Sequence, residues 1–122
     1  MQLALNMGAL RAAALADVAY ADFARLDIRV AKVVSAEPIP GKTRILEGRI
    51  DIGGETRRVI IGGAEHYAPA DMVGRAVVAI VNLEPKEVAG VVSDAMLLAA
   101  DDGGRPVWLT AGSDATPGTP IR

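Results

Sequence analysis

The segment 36–43, with the sequence AEPIPGKT, comes nearest in this chain to a known catalytic motif. It ends in Gly-Lys-Thr like a nucleotide phosphate-binding loop, but Ala36 replaces the glycine that opens such a loop. Pro38 and Pro40 lack the backbone N–H groups that hold phosphates in these loops. The residues after Thr43 alternate as in a strand, whereas a phosphate-binding loop must open a helix. The segment therefore does not predict nucleotide hydrolysis.

Other groups that could perform catalysis are few. The chain has no Cys, which excludes disulfides, thiolate zinc sites and thiol catalysis. Its single histidine, His66, is accompanied by no nucleophile motif. The adjacent carboxylates Asp101 and Asp102 precede two glycines and are typical of a turn rather than of an acid–base pair. We therefore expect a protein that is not an enzyme and that uses no metal or other cofactor.

Positive charge concentrates in the middle of the chain, although the formal net charge is −2. Residues 41–60 hold five basic side chains against three acidic ones, whereas residues 61–122 hold four basic and eight acidic side chains. Such a cluster suits contacts with nucleic-acid phosphates, but it is also typical of an ordinary solvated hairpin. The five basic residues are Lys42, Arg44, Arg49, Arg57 and Arg58.

The elements that would position this cluster are strands. In 44–52 alternate residues are apolar or small, which predicts a strand, and Gly53-Gly54 predicts a two-residue hairpin turn into a strand over 56–61. We predict an all-β, five-stranded Greek-key barrel. Tyr67 follows the strand over 56–61 and could either stack on a base or, more commonly, pack over one end of this barrel. The other strands are predicted over 28–37, 75–83 and 95–100, with a helical turn over 69–72 and an edge strand over 106–109.

The first 21 residues differ from the rest. Leu3, Met7, Leu10, Ala14 and Val18 recur at helical spacing, which predicts an amphipathic helix over 2–19. Its apolar face would pack on its own domain or contribute to a dimer interface. We therefore divide the chain into an N-terminal helix over 1–21 and a domain over 22–122.

Three local expectations complete this part of the prediction. Asp22 is expected to be the N-cap of a short turn that runs through Arg25. No apolar run reaches the roughly 20 residues of a membrane span. Without an export signal or cysteines, the chain is expected to be cytoplasmic and not to associate with a membrane.

Several motifs along 22–122 occur in an order that resembles one family. The resemblance is to the tRNA-binding domain found at the C-terminus of many methionyl-tRNA synthetases and as free-standing dimeric tRNA-binding proteins. The motifs are Asp27-Ile28-Arg29-Val30, Val59-Ile60-Ile61-Gly62-Gly63-Ala64, Tyr67 with Pro69, Val73-Gly74-Arg75, Asn82-Leu83-Glu84-Pro85, Gly90-Val91, and Ser93 with Met96-Leu97-Leu98-Ala99-Ala100.

The resemblance implies an OB-fold barrel that binds tRNA by its shape and performs no chemistry of its own. It would act in trans or as an accessory of an aminoacyl-tRNA synthetase. Related free-standing members dimerise through their chain ends, so the resemblance also implies a homodimer. A secretion-chaperone branch of the same fold binds polypeptide, which leaves a dimeric protein-binding module as the alternative.

The resemblance also implies binding residues. Arg44 and Arg49 stand where the family has lysines, whereas Asn82, Ser93 and Met96 match the family pattern directly. With the basic cluster and Lys86, the expected nucleic-acid-binding residues are Lys42, Arg44, Arg49, Arg57, Arg58, Asn82, Lys86, Ser93 and Met96.

The chain departs from the family pattern at other positions. Gly62 replaces a serine, and 39–41 lacks two polar residues of the family loop. Glu84, Glu87 and Asp94 put negative charge where the family has basic or amide side chains. Such changes are expected to weaken binding to phosphates, and Lys86 offsets them only in part.

Overall fold

The computed structural model describes residues 15–112 and 115–122, and most of the regular structure in them is β-strand. The helices are α1 (Tyr20–Ala24) and α2 (Pro69–Met72), and a 3₁₀ turn covers Ala64–His66. The strands are β1 (Ile28–Pro38), β2 (Ile45–Asp51), β3 (Thr56–Gly62), β4 (Ala76–Ile80), β5 (Lys86–Val88), β6 (Val91–Ser93), β7 (Met96–Leu97), β8 (Ala99–Asp102) and β9 (Arg105–Trp108).

Five of the strands form one antiparallel sheet in the order β3-β2-β1-β4-β7. The sheet curls until β3 meets the connection between β6 and β7. There the backbone N–H of Asp94 donates to the carbonyl of Arg58 at 2.8 Å, and the N–H of Ile60 donates to Ser93 Oγ at 3.0 Å. These bonds nearly close the sheet into a five-stranded barrel, which confirms the predicted OB-like fold.

The core consists of aliphatic side chains that alternate along the strands. In β2 and the residue after it, Leu46, Gly48, Ile50 and Ile52 face inward, as predicted. A Cβ on Gly48 would lie 2.5 Å from Cδ1 of Ile61, so the glycine makes room for that side chain. The outward residues of β2 and β3 are thereby directed to solvent.

The predicted two-residue turn at Gly53-Gly54 is confirmed, and both residues have positive φ angles, of 98° and 89°. The C-terminal segment 118–121 lies beside this turn and pairs with the start of β1. The N–H of Gly118 donates to the carbonyl of Val30 at 2.7 Å, and the N–H of Ile121 donates to that of Ile28 at 2.8 Å. The C-terminal segment thus extends the sheet where β2 has ended.

The last third of the chain contains more elements than predicted. The strand predicted over 75–83 covers only Ala76–Ile80, because the chain turns away before Pro85. The strand predicted over 95–100 is divided into β7 and β8. A hairpin of β5 and β6, which was not predicted, lies between β4 and β7 in the chain. The edge strand predicted over 106–109 is β9, which pairs with β8.

Most of the helix predicted over 2–19 lies outside the described residues, and its predicted C-terminal end is wrong. Residues 15–19 are not helical, and helix α1 begins only at Tyr20. All of 15–19 is exposed, so no burial offsets the cost of ordering a helix there. Asp22 is not an N-cap either, because Ala19 holds that position and Asp22 lies in the first turn. Neither α1 nor α2, the helices in the described part of the chain, has the length and apolar character needed to cross a bilayer.

Candidate nucleic-acid interface

Two arginines face each other on the outside of the β2–β3 hairpin. Arg49 and Arg58 are direct cross-strand partners, and both are exposed. Arg58 Nε lies 3.4 Å from a carboxylate oxygen of Glu47, whereas Arg49 has no ion pair among the described residues. Like charges opposite each other destabilise a strand pair slightly, and an anion bound between them would relieve this repulsion. We call this pair, Arg49 and Arg58, the hairpin face.

Lys42 and Arg44 lie in the loop before β2, and both are exposed. Arg44 Nε is 3.4 Å from a carboxylate oxygen of Glu65, but the Arg44 side chain is 83% exposed. A pair so open to water holds the guanidinium weakly. Both cations therefore remain accessible to an external anion.

Arg57 lies on the other side of β3 from the hairpin face. It is opposite the buried Ile50, and its side chain is only 23% exposed. Its Nη1 donates to the carbonyl of Val81 at 3.0 Å and to that of Asp94 at 3.3 Å, while Nε lies 3.1 Å from a carboxylate oxygen of Glu55. The hydrogen bond to Glu55 raises the pKa of Arg57. Arg57 thus ties β3 to the end of β4 and to the β6–β7 connection, apart from the other cluster members.

Asn82 and Ser93 also make internal bonds. The Asn82 side chain accepts the N–H of Asp27 and donates to the carbonyl of Arg25, both at 2.7 Å. Ser93 Oγ accepts the N–H of Ile60 at 3.0 Å and donates to the carbonyl of Ala95 at 3.1 Å. Asn82 therefore anchors the loop after β4, and Ser93 helps to close the barrel.

Met96 and Lys86 line an apolar cleft of about 260 Å³. We call it the first cleft; it is lined by residues of the β5–β6 hairpin and by the outward residues Ile60 and Gly62 of β3. The Met96 side chain is 49% exposed, and Lys86 is exposed at the rim. This arrangement can bury an apolar or planar group beside a cation.

A second cleft, of about 420 Å³, lies between the loop that carries Arg44 and the β8–β9 hairpin. Trp108 lines both clefts, and its ring meets Tyr67 edge to face at 6.1 Å between centroids. Tyr67 packs against the core and donates its hydroxyl hydrogen bond to the carbonyl of Gly62, which confirms the packing alternative for this residue. Burial raises the pKa of Tyr67 to about 12.

The acidic departures from the family pattern have different surroundings. Glu84 lines the first cleft, and Glu87 is exposed on β5. Asp94 is held by Arg57, whose Nη1 lies 3.6 Å from its carboxylate. Asp94 is therefore partly neutralised by an internal partner, whereas Glu84 and Glu87 remain free to repel phosphates.

Sequence patterns did not single out Trp108 or the second cleft. Trp108 reaches the β3 end only because β8 and β9 fold back over it, a contact between segments more than 40 residues apart in sequence. The only signal in the sequence was that it is the chain's single tryptophan. No group of three His, Cys, Asp or Glu side chains within the described ranges is arranged to hold a metal ion.

Comparisons with known proteins agree with this architecture. Residues 28–120 match the family described as "Putative tRNA binding domain". The methionine–tRNA ligase of Thermotoga maritima is 41% identical over 100 residues, and that of Methanosarcina acetivorans is 43% identical over 110 residues. These matches cover 82% and 88% of this chain but only 16% and 15% of the two ligases.

Two solved structures match over nearly the whole chain. The MetRS-related protein of Pyrococcus horikoshii superposes with a TM-score of 0.83 at 25% identity. The chaperone CsaA of Bacillus anthracis superposes with a TM-score of 0.78 at 31% identity. Each match covers 88% of this chain and all of the other. With the family match over 28–120, these likenesses show that the chain belongs to the tRNA-binding domain family.

Proposed function

We propose that this domain binds structured tRNA through the hairpin face and the adjacent loop cations, and performs no reaction itself. The observation that carries the proposal is the exposed cross-strand pair of Arg49 and Arg58, which borders the first cleft through Ile60. Phosphate contacts supply much of the affinity of nucleic-acid-binding proteins, and guanidinium groups hold phosphates in a bidentate manner. Lys42, Arg44 and Lys86 extend the cationic surface at either side.

The remaining expected residues have a positioning role in this proposal. Arg57, Asn82 and Ser93 use their polar atoms to hold the barrel closure and the loop after β4. By doing so they fix the positions of Met96 and Lys86 relative to the hairpin face. Met96 offers an apolar contact to a base or sugar.

The relatives that match this chain in sequence include methionine–tRNA ligases, of which it matches about a sixth. We infer that the domain raises the local concentration of tRNA, in trans or as an accessory of an aminoacyl-tRNA synthetase. It would do so in the cytoplasm and as a homodimer, in which two cationic surfaces act on one RNA. Each protomer offers five accessible cations for phosphates, so duplication would increase the affinity substantially.

The test is a titration of labelled total tRNA at several salt concentrations, with heparin as a competing polyanion. The double variant Arg44→Glu, Arg49→Glu should lose at least about tenfold in affinity, and the salt slope should fall by roughly 0.7–0.9 for each phosphate that is no longer neutralised. The matched control is Arg75→Glu, Arg105→Glu, which changes the net charge equally at two exposed sites outside the hairpin face and the loop cations. The control should retain most of the affinity and the slope.

Equal losses in both double variants would mean that only net charge matters, which contradicts a defined site. Unchanged affinity in a folded Arg44→Glu, Arg49→Glu protein would remove the hairpin face from the proposal.

The alternative is a protein-binding, chaperone-like module. It is favoured by the likeness to a chaperone at 31% identity and by the acidic side chain Glu84 at an apolar cleft. No tRNA binding at low salt, together with suppressed aggregation of an unfolded protein, would support this alternative and reject the proposal.

A further inference from the structure

The two clefts adjoin at the end of β3, and we call them together the groove. Gly62 and Trp108 line both clefts and therefore lie where the two adjoin. The volumes of about 260 and 420 Å³ lie within or near the range of small-ligand sites.

The backbone at Gly62 does not require glycine. Its φ is not among the positive angles of the chain, and a Cβ added to it would meet no atom within 4 Å. The next residue is different, because Gly63 has a φ of 75° and its added Cβ would collide with Pro106. Glycine at 63 therefore serves the fold, whereas glycine at 62 leaves open the space that a side chain would occupy in the groove.

We infer that this groove binds one unpaired nucleotide of the RNA, with its base lying over Gly62 beside Trp108, and that Gly62 determines which ligands enter. This inference rests on the proposed function. Aromatic side chains and flat apolar surfaces are the usual seats of unpaired bases. A tRNA offers such bases in its loops and at its end.

The charges around the groove are consistent with a nucleotide. Lys86 at one end and Arg44 at the other can each approach a flanking phosphate. The carboxylates on the rim belong to Glu84, Asp101 and Glu65, the last of which pairs with Arg44. A carboxylate accepts hydrogen bonds from base amino groups, so we expect adenine, cytosine or guanine to bind better than uracil.

The groove is continuous with the hairpin face. Arg58, Ile60 and Gly62 are alternate residues of β3 and lie on its outer side. The Cα atoms of Arg58 and Gly62 are about 13 Å apart by strand geometry. A backbone held at Arg58 can therefore continue to a base in the groove within a few nucleotides.

Trp108 is the only tryptophan of the chain, so its fluorescence reports occupancy of the groove directly. We would titrate the full chain with hexamers of oligo(A), oligo(C) and oligo(U), and with tRNA. The wild type should show quenching, strongest with oligo(A) or oligo(C). Gly62→Val should abolish the quenching and lower tRNA affinity roughly 5- to 100-fold. The salt slope should not change, because the variant removes no cation that faces a phosphate.

The matched control is Thr56→Val, which adds a similar branched side chain at the other end of the outer side of β3. It should behave as wild type in both titrations. Valine suits a strand, so both variants should fold, as circular dichroism and thermal melting will show. Gly62→Ala, with a smaller side chain, should give a partial loss and replaces Gly62→Val if that protein does not fold.

Each outcome distinguishes the inference from the proposed function. Salt-dependent tRNA binding with equal affinity and quenching in wild type and Gly62→Val overturns the inference and leaves the proposed function standing. Gly62-dependent quenching by oligonucleotides without tRNA binding supports the groove and rejects the function. If neither RNA quenches Trp108 but an apolar peptide does so in a Gly62-dependent manner, the groove belongs to polypeptide and the inference is wrong.

Discussion

The phenol of Tyr67 makes the end of β3 sensitive to alkaline pH. Burial raises its pKa to about 12, above the ordinary value of 10.0 that applies in the unfolded chain. Between about pH 10 and 12 the unfolded state loses this proton while the folded state keeps it. Because the unfolded state then binds fewer protons, the free energy of unfolding falls as pH rises through this window.

A spectrophotometric titration of the Tyr20→Phe variant checks this prediction, because Tyr67 is then the only tyrosine. Its ionisation should be centred near pH 12, and denaturant unfolding should show stability declining above about pH 10. In Tyr67→Phe the free energy of unfolding should decline less above about pH 10, because phenylalanine has no hydroxyl to ionise. A midpoint near pH 10 would mean that the phenol is open to water and does not hold the Gly62 carbonyl.

The contrast between Arg57 and Arg58 shows what residue-level prediction can reach. Both were predicted as members of one basic cluster, and both lie on β3 as expected. Strand alternation directs Arg57 inward with Val59 and Ile61, but its polar partners lie at positions 81 and 94. Those partners depend on barrel closure, so its internal role could not be derived from the local pattern.

At the scale of elements, the turn between β2 and β3 supports the C-terminal segment. A Cβ on Gly53 would lie 2.7 Å from the Cα of Gly118, whereas a Cβ on Gly54 would meet nothing within 4 Å. Both glycines have positive φ angles, so alanine at either costs about 1–2 kcal/mol of backbone strain. Gly53→Ala must also displace the C-terminal segment, at a further cost of about 1–3 kcal/mol.

Denaturant unfolding of Gly53→Ala and Gly54→Ala isolates this contact, since the backbone strain is common to both. We expect Gly53→Ala to be less stable than Gly54→Ala by at least about 1 kcal/mol. Amide exchange at Val30 and Ile121, whose N–H groups bond across this junction, should accelerate only in Gly53→Ala. Equal stability of the two variants would mean that the C-terminal segment contributes nothing to the fold.

A strand is predicted most directly where its apolar pattern alternates over five or more residues. β2 and β3 have such a pattern and a Gly-Gly turn between them. The β5–β6 hairpin has strands of three residues and was missed, because Pro85 and the acidic residues around it obscure any alternation. Over 2–19 periodicity alone predicts a helix, but 15–19 lacks the burial that would stabilise one.

At the scale of the whole molecule, the proposed site is a local excess of cations on a weakly acidic protein. The formal net charge of −2 provides no long-range attraction for RNA, so the proposed binding would depend on the arginines and lysines close to the phosphates. At physiological salt, dissolved ions screen the interaction between exposed charges that are farther apart than the Debye length of about 8–10 Å. Cations farther than this from a phosphate would therefore contribute little. This is the physical reason why the proposed affinity should be modest for one protomer and should benefit from two.

A concentrated apolar surface lies on the chain-end side of the molecule. Among the described residues, five of the twelve exposed large hydrophobic side chains fall within 15–26: Leu15, Val18, Tyr20, Phe23 and Leu26. Beside them is a cleft of about 380 Å³ lined by Phe23, Leu26 and Ile121. Apolar surface grouped in this way on a small protein is typical of an interface.

We therefore expect a homodimer that buries 15–26 against a second copy. Sedimentation equilibrium at micromolar concentration should give twice the monomer mass, and the double variant Val18→Asp, Phe23→Asp should sediment as a monomer. The melting temperature of this variant should be independent of protein concentration, whereas the melting temperature of the wild type should rise with protein concentration. The variant Val34→Asp, at an exposed apolar side chain of β1, is the control and should remain dimeric. A monomeric wild type would instead restrict each molecule to one cationic surface, and the affinity for tRNA would then be the same in wild type and Val18→Asp, Phe23→Asp.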